Sequence, residues 1–177
     1  TGLMVLNRDD AAVMAMLRSP EPVPVVKGKA FRPAPLRQHV TFGADMPQRP
    51  GDFGLEDVNG MLWLVRALEA DETQKLKKGE LLELHFQRLM PADALRIRGR
   101  HNATNALAAL ALCTAVGCAL GPVLYGLREY RGEPHRVASV GILNGVEFFD
   151  DSKGTNVGAT VAALSGLGPQ LRLVVIL

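Results

Sequence analysis

Apolar and polar positions succeed one another along this chain in a pattern that predicts strands and helices in turn. Gly2–Leu6 is a short apolar run that stops at Asn7–Arg8–Asp9–Asp10, and it reads as a buried strand. Ala12, Val13, Met16 and Leu17 then recur at helical spacing, which predicts a helix over 11–17 with Asp9 or Asp10 as its N-cap. Val23–Val26 is a second apolar run, fenced by Pro22 and Pro24, and residues 28–37 read as loop. Strand character returns at Val40–Gly43. Pro, Gly and Asp dominate Asp45–Asn59, which reads as loop. Met61–Arg66 predicts a strand, residues 68–78 a polar excursion, and Leu81–Leu89 a loosely alternating strand. Val40–Ile97 therefore suggests a small antiparallel sheet, with Trp63 and Phe86 as packing residues.

The second half is more strongly patterned. Ala103–Val116 is apolar at almost every position, so it predicts a helix buried nearly all round, with Gly117 as its C-cap. Gly121–Tyr130 predicts a shorter helix with Val123, Leu124, Leu127 and Tyr130 on one side, broken by Arg131–Pro134. Val137–Leu143 and Val146–Phe149 read as strands joined by Asn144–Gly145, a strong type I′ hairpin signal. The return strand runs into the polar loop Asp150–Asn156. A helix then opens through Val157, Ala159 and Thr160 towards Leu167, and Leu171–Leu177 predicts a further, fully apolar strand. This order of elements is that of an α/β protein, whose parallel sheet is covered by helices.

Composition narrows the picture. Of 177 residues 47% are hydrophobic, enough for a packed core. A net charge of +2 gives no ground for a nucleic-acid partner, and Lys75, Lys77 and Lys78 read as a solvated face. No apolar run approaches the ~18 residues of a membrane span, and no leader is evident. Cys113 and Cys118 share one apolar helical stretch without metal-type spacing and read as buried thiols of a reducing compartment. The chain opens on Thr1 just ahead of a strand and closes within another, so a piece of a longer protein, with an incomplete site, is the expectation.

Candidate chemistry concentrates in Asp150–Asn156, at the carboxyl end of a strand, where α/β proteins present polar groups. Asp151 could hold a metal, a ribose or an amine. Lys153 is a point charge suited to a carboxylate or phosphate. Thr155 and Asn156 can cap the following helix, and Gly154 lets the backbone turn close to a ligand. The hairpin brings His135 and Arg136 to the same end, with Arg136 beside Asp151. Arg136 suits a phosphate, or forms a structural ion pair with Asp151. At the start of the long helix His101, Asn102 and Asn105 need partners. Asn102 and Asn105 lie three apart on one face, as caps or as hydrogen-bonding groups for a heteroaromatic base. A helix N-terminus also favours an anion.

Gly99–Arg100–His101–Asn102–Ala103–Thr104–Asn105–Ala106, with Ala108–Ala109, resembles the G-x-H-N-x-x-N-x-x-A-A motif of the Mur ligase family. Gly132–Glu133–Pro134–His135–Arg136 and Asp151–Ser152–Lys153–Gly154–Thr155–Asn156 are similar to the motif pair of the branch that adds D-glutamate to UDP-N-acetylmuramoyl-L-alanine. The second of these is the more specific, since the tripeptide ligase and folylpolyglutamate synthase usually carry other segments there. The resemblance implies a three-domain ATP-dependent amide ligase of peptidoglycan synthesis. Residues 1–130 would be the second half of its central ATPase domain, with a parallel sheet and a small antiparallel sheet. Residues 131–177 would begin its Rossmann-like C-terminal domain.

In the implied reaction ATP phosphorylates the substrate carboxylate and the amine of D-glutamate attacks the acyl phosphate. Asn102 and Asn105 would contact adenine, Asp151 the ribose, and Arg136 the phosphates. Lys153 and Thr155, with Ser152, would face D-glutamate and the reacting carboxylate, so that Lys153 and Arg136 carry the chemistry. His101 and His135 would act by positioning. The resemblance further implies a cytoplasmic monomer without nucleic-acid or membrane partners. Mg²⁺ is implied as well, its ligands, the phosphate loop and a carbamoylated lysine lying before Thr1, and the rest of the D-glutamate pocket after Leu177.

Two departures stand out: Val137 and Ala138 replace the family's usual Phe-Glu, and residues 64–90 are longer than its usual link. Another Mur-type amino-acid ligase and a non-catalytic nucleotide-binding piece are the alternatives. An unrelated Rossmann oxidoreductase is disfavoured, because no G-x-G-x-x-G follows a strand.

Overall fold

A computed structural model describes residues 2–17, 37–70, 83–167 and 172–176. The first apolar run forms β1 (Met4–Asn7), and α1 (Ala11–Met14) follows at once. The Asp10 carboxylate accepts the N–H groups of Ala12 and Val13 and is the N-cap. Asp9 instead braces the neighbouring connection, where its carboxylate accepts the Ala44 N–H at 2.7 Å. The helix is shorter than its periodicity predicts, ending before Met16 and Leu17.

β2 (His39–Phe42), β3 (Phe53–Val58), β4 (Met61–Glu69) and β5 (Leu84–Pro91) complete one five-stranded sheet in the order β1-β2-β3-β4-β5. β1 and β2 run parallel, β2 meets β3 in parallel at Phe42–Phe53, and β3, β4 and β5 are antiparallel. The α/β class is as expected, and the parallel and antiparallel strands form a single mixed sheet.

β3 corrects the reading of Asp45–Asn59 as loop. The loop composition belongs to residues 45–52, while Phe53 and Leu55 are buried core residues. Asp52 is also buried, its charge met by the Thr41 N–H at 2.7 Å and by Arg49 at 3.2 Å. Gly54 marks a close backbone approach, because a Cβ there would overlap the Asp45 carbonyl. Arg8 seals this corner. Its guanidinium donates to the Asp45 carboxylate, the Asp45 carbonyl and the Phe53 carbonyl, each at 2.6 Å, tying the end of β1 to the β2–β3 connection.

A short 3₁₀ turn, Ala92–Ala94, leads to α2 (Arg100–Ala115) and α3 (Leu120–Glu129). Ala103, Ala106, Leu107, Leu110 and Ala111 form the buried face of α2, against Phe53, Leu55, Leu64 and Met90. Val123, Leu124 and Leu127 of α3 close over the same core. The expectation that α2 is buried all round is corrected: Leu112 is 56% exposed and Val116 79%. Sheet and α3 cover one side, and α4 meets the other only near the start of α2, at His101, so its later turns stay open; Cys113 is half-buried and Cys118 exposed, not the buried thiols expected. Gly117 ends the helix as predicted, with φ +84°; its N–H bonds the Thr114 carbonyl and the Cys118 N–H that of Cys113, a Schellman pair.

β6 (Ala138–Leu143) and β7 (Val146–Asp150) form a separate hairpin, followed by α4 (Val157–Leu167). The strand expected at Leu171–Leu177 is not formed over the described residues 172–176, which pair with no described strand. Val23–Val26, Lys75, Lys77 and Lys78 lie outside the described residues. No described helix is long and apolar enough to cross a membrane.

One-sided burial of α2 has a direct test. Leu107→Ala in the full-length protein should cost about 2–5 kcal/mol by urea unfolding, as expected for a cavity in a close-packed core. Leu112→Ala should stay within about 0.5 kcal/mol, as at an open surface. Equal losses at both positions would mean that something covers the outer face of α2.

Candidate active site

Asn144 (φ +52°) and Gly145 (φ +79°) turn the β6–β7 hairpin as a type I′ turn requires. Pairing runs from Leu143–Val146 to Ala138–Asp150, with Val140 as an extra bulged residue. At the far end the chain leaves β7 through Asp150 and Asp151, opposite His135–Val137. The His135 ring lies 2.7 Å from the Asp150 carboxylate, whose other oxygen accepts the Ser152 N–H at 2.9 Å. These bonds, that of the Ser152 N–H first and that of His135 second, hold the Asp150 carboxyl below its usual pKa. The Asp151 carboxylate accepts the Val137 N–H at 3.2 Å, and the Lys153 N–H bonds the His135 carbonyl at 3.0 Å.

The hairpin thus brings Arg136 and Asp151 to one end, as the strand lengths predict, but they form no ion pair among the described residues. The backbone explains this. His135 (φ +66°) and Val137 (φ +49°) flank Arg136 in left-handed conformations, and it is the Val137 N–H that meets Asp151. A β-branched residue at positive φ is strained, by roughly 1–3 kcal/mol. The Arg136 guanidinium and the Lys153 ammonium are both exposed and make no hydrogen bond among the described residues.

The loop closes on itself. Gly154 N–H bonds the Asp151 carbonyl at 2.8 Å, and a Cβ at Gly154 would lie 2.7 Å from the Asp151 carboxylate. Gly154 therefore serves the packing of Asp151 inside the loop. Asn156 is the N-cap of α4, its side chain accepting the Ala159 N–H at 2.9 Å. Thr155 does not share that role; its hydroxyl and that of Ser152 lie in the exposed part of the loop.

At the start of α2 the N-cap is Gly99 (φ +99°), and neither asparagine caps the helix. The Asn102 amide donates to the Arg98 carbonyl at 2.8 Å, and Asn105 donates to the Asn102 side-chain oxygen at 3.4 Å. This arrangement leaves the Asn105 oxygen and unused N–H groups on both amides, the mixed donor and acceptor edge that a heteroaromatic base needs.

His101 points towards α4. Its Nδ1 is shut off from solvent and has no hydrogen-bond partner among the described residues. Burial pushes its pKa down, and the negative charge of Asp151 opposes the shift without cancelling it. Arg98 reaches across to Glu147 of β7 at 2.9 Å, a second link between the α2 side and the hairpin. Sequence reasoning missed this link and the contact of His101 with α4, since both join residues about 50 or more positions apart. The bond from Asp150 to His135 was open to discovery, because the hairpin register pairs their neighbourhoods. No group of three or more His, Cys, Asp or Glu suited to a metal ion occurs among the described residues.

No family model matches the chain. Among curated proteins, it is 76% identical over 177 residues to the UDP-N-acetylmuramoylalanine–D-glutamate ligase of Albidiferax ferrireducens, covering all of this chain and 34% of that protein. The ligase of the same name from Polaromonas sp. is 68% identical over 174 residues, covering 98% of this chain and 29% of that protein. For the one from Paraburkholderia phymatum the figures are 52% over 178 aligned positions, 96% and 33%. The chain spans about a third of the length of the curated relatives it matches. The motif resemblance therefore extends over the whole chain, including residues 1–95.

Two measurements check this local architecture in the full-length protein. Asn156→Ala should destabilise α4 by about 1 kcal/mol, seen as faster amide exchange in that helix, whereas Thr155→Ala should leave exchange unchanged. Equal effects would remove the cap assignment. The second is a pH dependence. His101 has a lower pKa folded than unfolded, so between the two values the unfolded state holds more protons and stability rises with pH. The contribution is complete above about pH 6.5 and is lost as pH falls through the folded value. Acidification from pH 7 to 5 should loosen α4, and His101→Gln should abolish that part of the response; an identical response in the variant would contradict it.

Proposed function

We propose that this chain is a segment of a UDP-N-acetylmuramoylalanine–D-glutamate ligase, an enzyme that uses ATP to join D-glutamate to UDP-N-acetylmuramoyl-L-alanine in peptidoglycan precursor synthesis. The observation that carries this reading is the 76% identity to such a ligase across all 177 residues. In this reading residues 1–130 are the second half of a central ATP-binding domain, and 131–177 begin a Rossmann-like C-terminal domain. The protein is a monomer in the cytoplasm.

The donor set fits ATP. Two cations without partners among the described residues, a carboxylate and an amide edge with open positions are what phosphates, a ribose and an adenine respectively need. ATP, when bound, supplies the phosphoryl group that activates the substrate carboxylate. The Asn102–Asn105 edge reads the base, Asp151 accepts from the ribose, and Arg136 neutralises phosphate charge. The Lys153 ammonium stabilises negative charge on the reacting carboxylate. Ser152 and Thr155 offer hydroxyls to D-glutamate. His135 fixes Asp150 and hence the shape of the loop. Mg²⁺ in this reading draws its ligands from residues other than those described.

The test is phosphate release by the full-length protein with ATP, Mg²⁺ and UDP-N-acetylmuramoyl-L-alanine, run with D-glutamate, L-lysine, meso-diaminopimelate or no amino acid. Release should depend on D-glutamate. Dependence on another amino acid would replace the substrate, and nucleotide binding without release would leave a binding protein. Lys153→Ala should lower turnover about 10²–10³-fold, the loss usual for one preorganised charge-stabilising group, with the fold intact. A wild-type rate would remove Lys153 from the chemistry.

A further inference from the structure

The far end of α2 holds both cysteines of this chain in a fixed relation. Cys113–Thr114–Ala115–Val116–Gly117–Cys118 is the Schellman turn that ends the helix. The Cys118 N–H bonds the Cys113 carbonyl at 2.9 Å, and Gly117 folds the chain back with φ +84°. Such a turn sets its first and last residues side by side and commonly packs an apolar pair there. Here that pair is two thiols. Residues joined by one backbone bond across the turn have Cα atoms within the roughly 4.4–6.8 Å that a disulfide spans. Both thiols are free, Cys118 exposed and Cys113 half-buried. A Cβ at the intervening Gly117 would meet nothing within 4 Å, so a small reagent has access to the turn.

The surroundings narrow the chemistry. Residues 106–127 contain no Asp, Glu, His, Lys or Arg. Among the described residues no third Cys, His, Asp or Glu joins the pair in a metal-binding group, whereas a structural zinc site takes four ligands. Two thiols alone at this separation are suited to exchange electrons with an oxidant. We propose that Cys113 and Cys118 are a reversible redox pair, which a peroxide converts to a disulfide across the end of α2. The exposed Cys118 thiolate attacks a peroxide oxygen; the O–O bond breaks, a sulfenic acid forms, and the hydroxide released takes the thiol proton and leaves as water. The Cys113 sulfur then attacks the Cys118 sulfur. The S–S bond forms, the S–O bond breaks, and the Cys113 proton leaves with that oxygen as a second water. Both sulfurs are oxidised and one peroxide is reduced. Thiol reductants reverse the step, so in a reducing compartment the dithiol is the resting form and the bridge is transient. The pair lies at the other end of α2 from Asn102 and Asn105, so its chemistry is independent of the function proposed above.

The experiment treats the reduced full-length protein with hydrogen peroxide, alkylates the remaining thiols with iodoacetamide and maps tryptic peptides by mass. No Lys or Arg lies between Arg100 and Arg128, so both cysteines fall in the one peptide His101–Arg128. That peptide should appear unalkylated and lighter by two hydrogens, and dithiothreitol should return it to the doubly alkylated form. In glutathione buffers the folded protein should close the bridge at an oxidised-to-reduced ratio about tenfold below that needed in urea, because the folded turn already holds the thiols together. In Cys113→Ser, Cys118 should stop at a mixed disulfide with glutathione. Any of four results overturns the proposal: both cysteines still alkylated after peroxide, Cys118 oxidised to a sulfinic acid with Cys113 alkylated, a disulfide that joins two molecules, or the same glutathione ratio folded and in urea. The last would mean that the bridge owes nothing to the Schellman turn.

Discussion

The packing of α2 on the mixed sheet is the constraint on which the remainder depends. Leu107 and Leu110 are wholly buried against Phe53, Leu55 and Leu64. Each such side chain contributes about 1.5–3 kcal/mol of burial. The ion pairs around it, Arg96–Glu129 and Arg98–Glu147, are largely exposed and contribute about 0–1 kcal/mol each. Apolar contact therefore decides where α2 lies, and the ion pairs only trim its ends. With α2 in place its first turn presents the asparagines, and its last turn redirects the chain into α3 over the same core.

Around the candidate site the charges divide by sign. Both carboxylates of the Asp150–Asp151 pair are engaged inside the loop, by the Ser152 N–H, the His135 ring and the Val137 N–H. Arg136 and Lys153 are left facing outward without partners among the described residues. Both acidic side chains brace the loop, with one Asp151 oxygen left over, while the basic ones stand open, so the loop can receive an anion although its composition is balanced. The strained backbone on either side of Arg136 belongs to the same arrangement, because the Val137 N–H that repays part of the strain is the one that anchors Asp151.

Much of this was legible in the chain, and the illegible parts share a cause. Asp10, Gly117 and Asn144–Gly145 act through backbone geometry within a few residues, and local chemistry was enough to find them. The convergence of His135–Arg136 with Asp150–Lys153 followed from hairpin arithmetic, though the bulge at Val140 and the left-handed residues beside Arg136 changed which atoms meet. β3 was hidden because Asp52 and Gly54 look like loop residues until the Thr41 N–H and the Asp45 carbonyl are placed beside them. The exposed side of α2 was equally invisible, since an apolar pattern says what a face tolerates and not what covers it. At Asn102 and Asn105 the bonds to Arg98 and to each other replace the capping roles that local chemistry also offered.

The β6–β7 hairpin carries one more consequence. Val140, Ile142, Leu143, Val146 and Phe148 are all exposed on a ribbon of only two strands. Such a ribbon has open backbone edges and apolar side chains on offer together, the combination that templates strand addition between molecules. Handled as an isolated polypeptide at high concentration, this chain will tend to aggregate through that ribbon before its core fails. Solubility rather than folding would then limit its recovery, and a lysine placed on the hairpin edge would improve yield without touching α2.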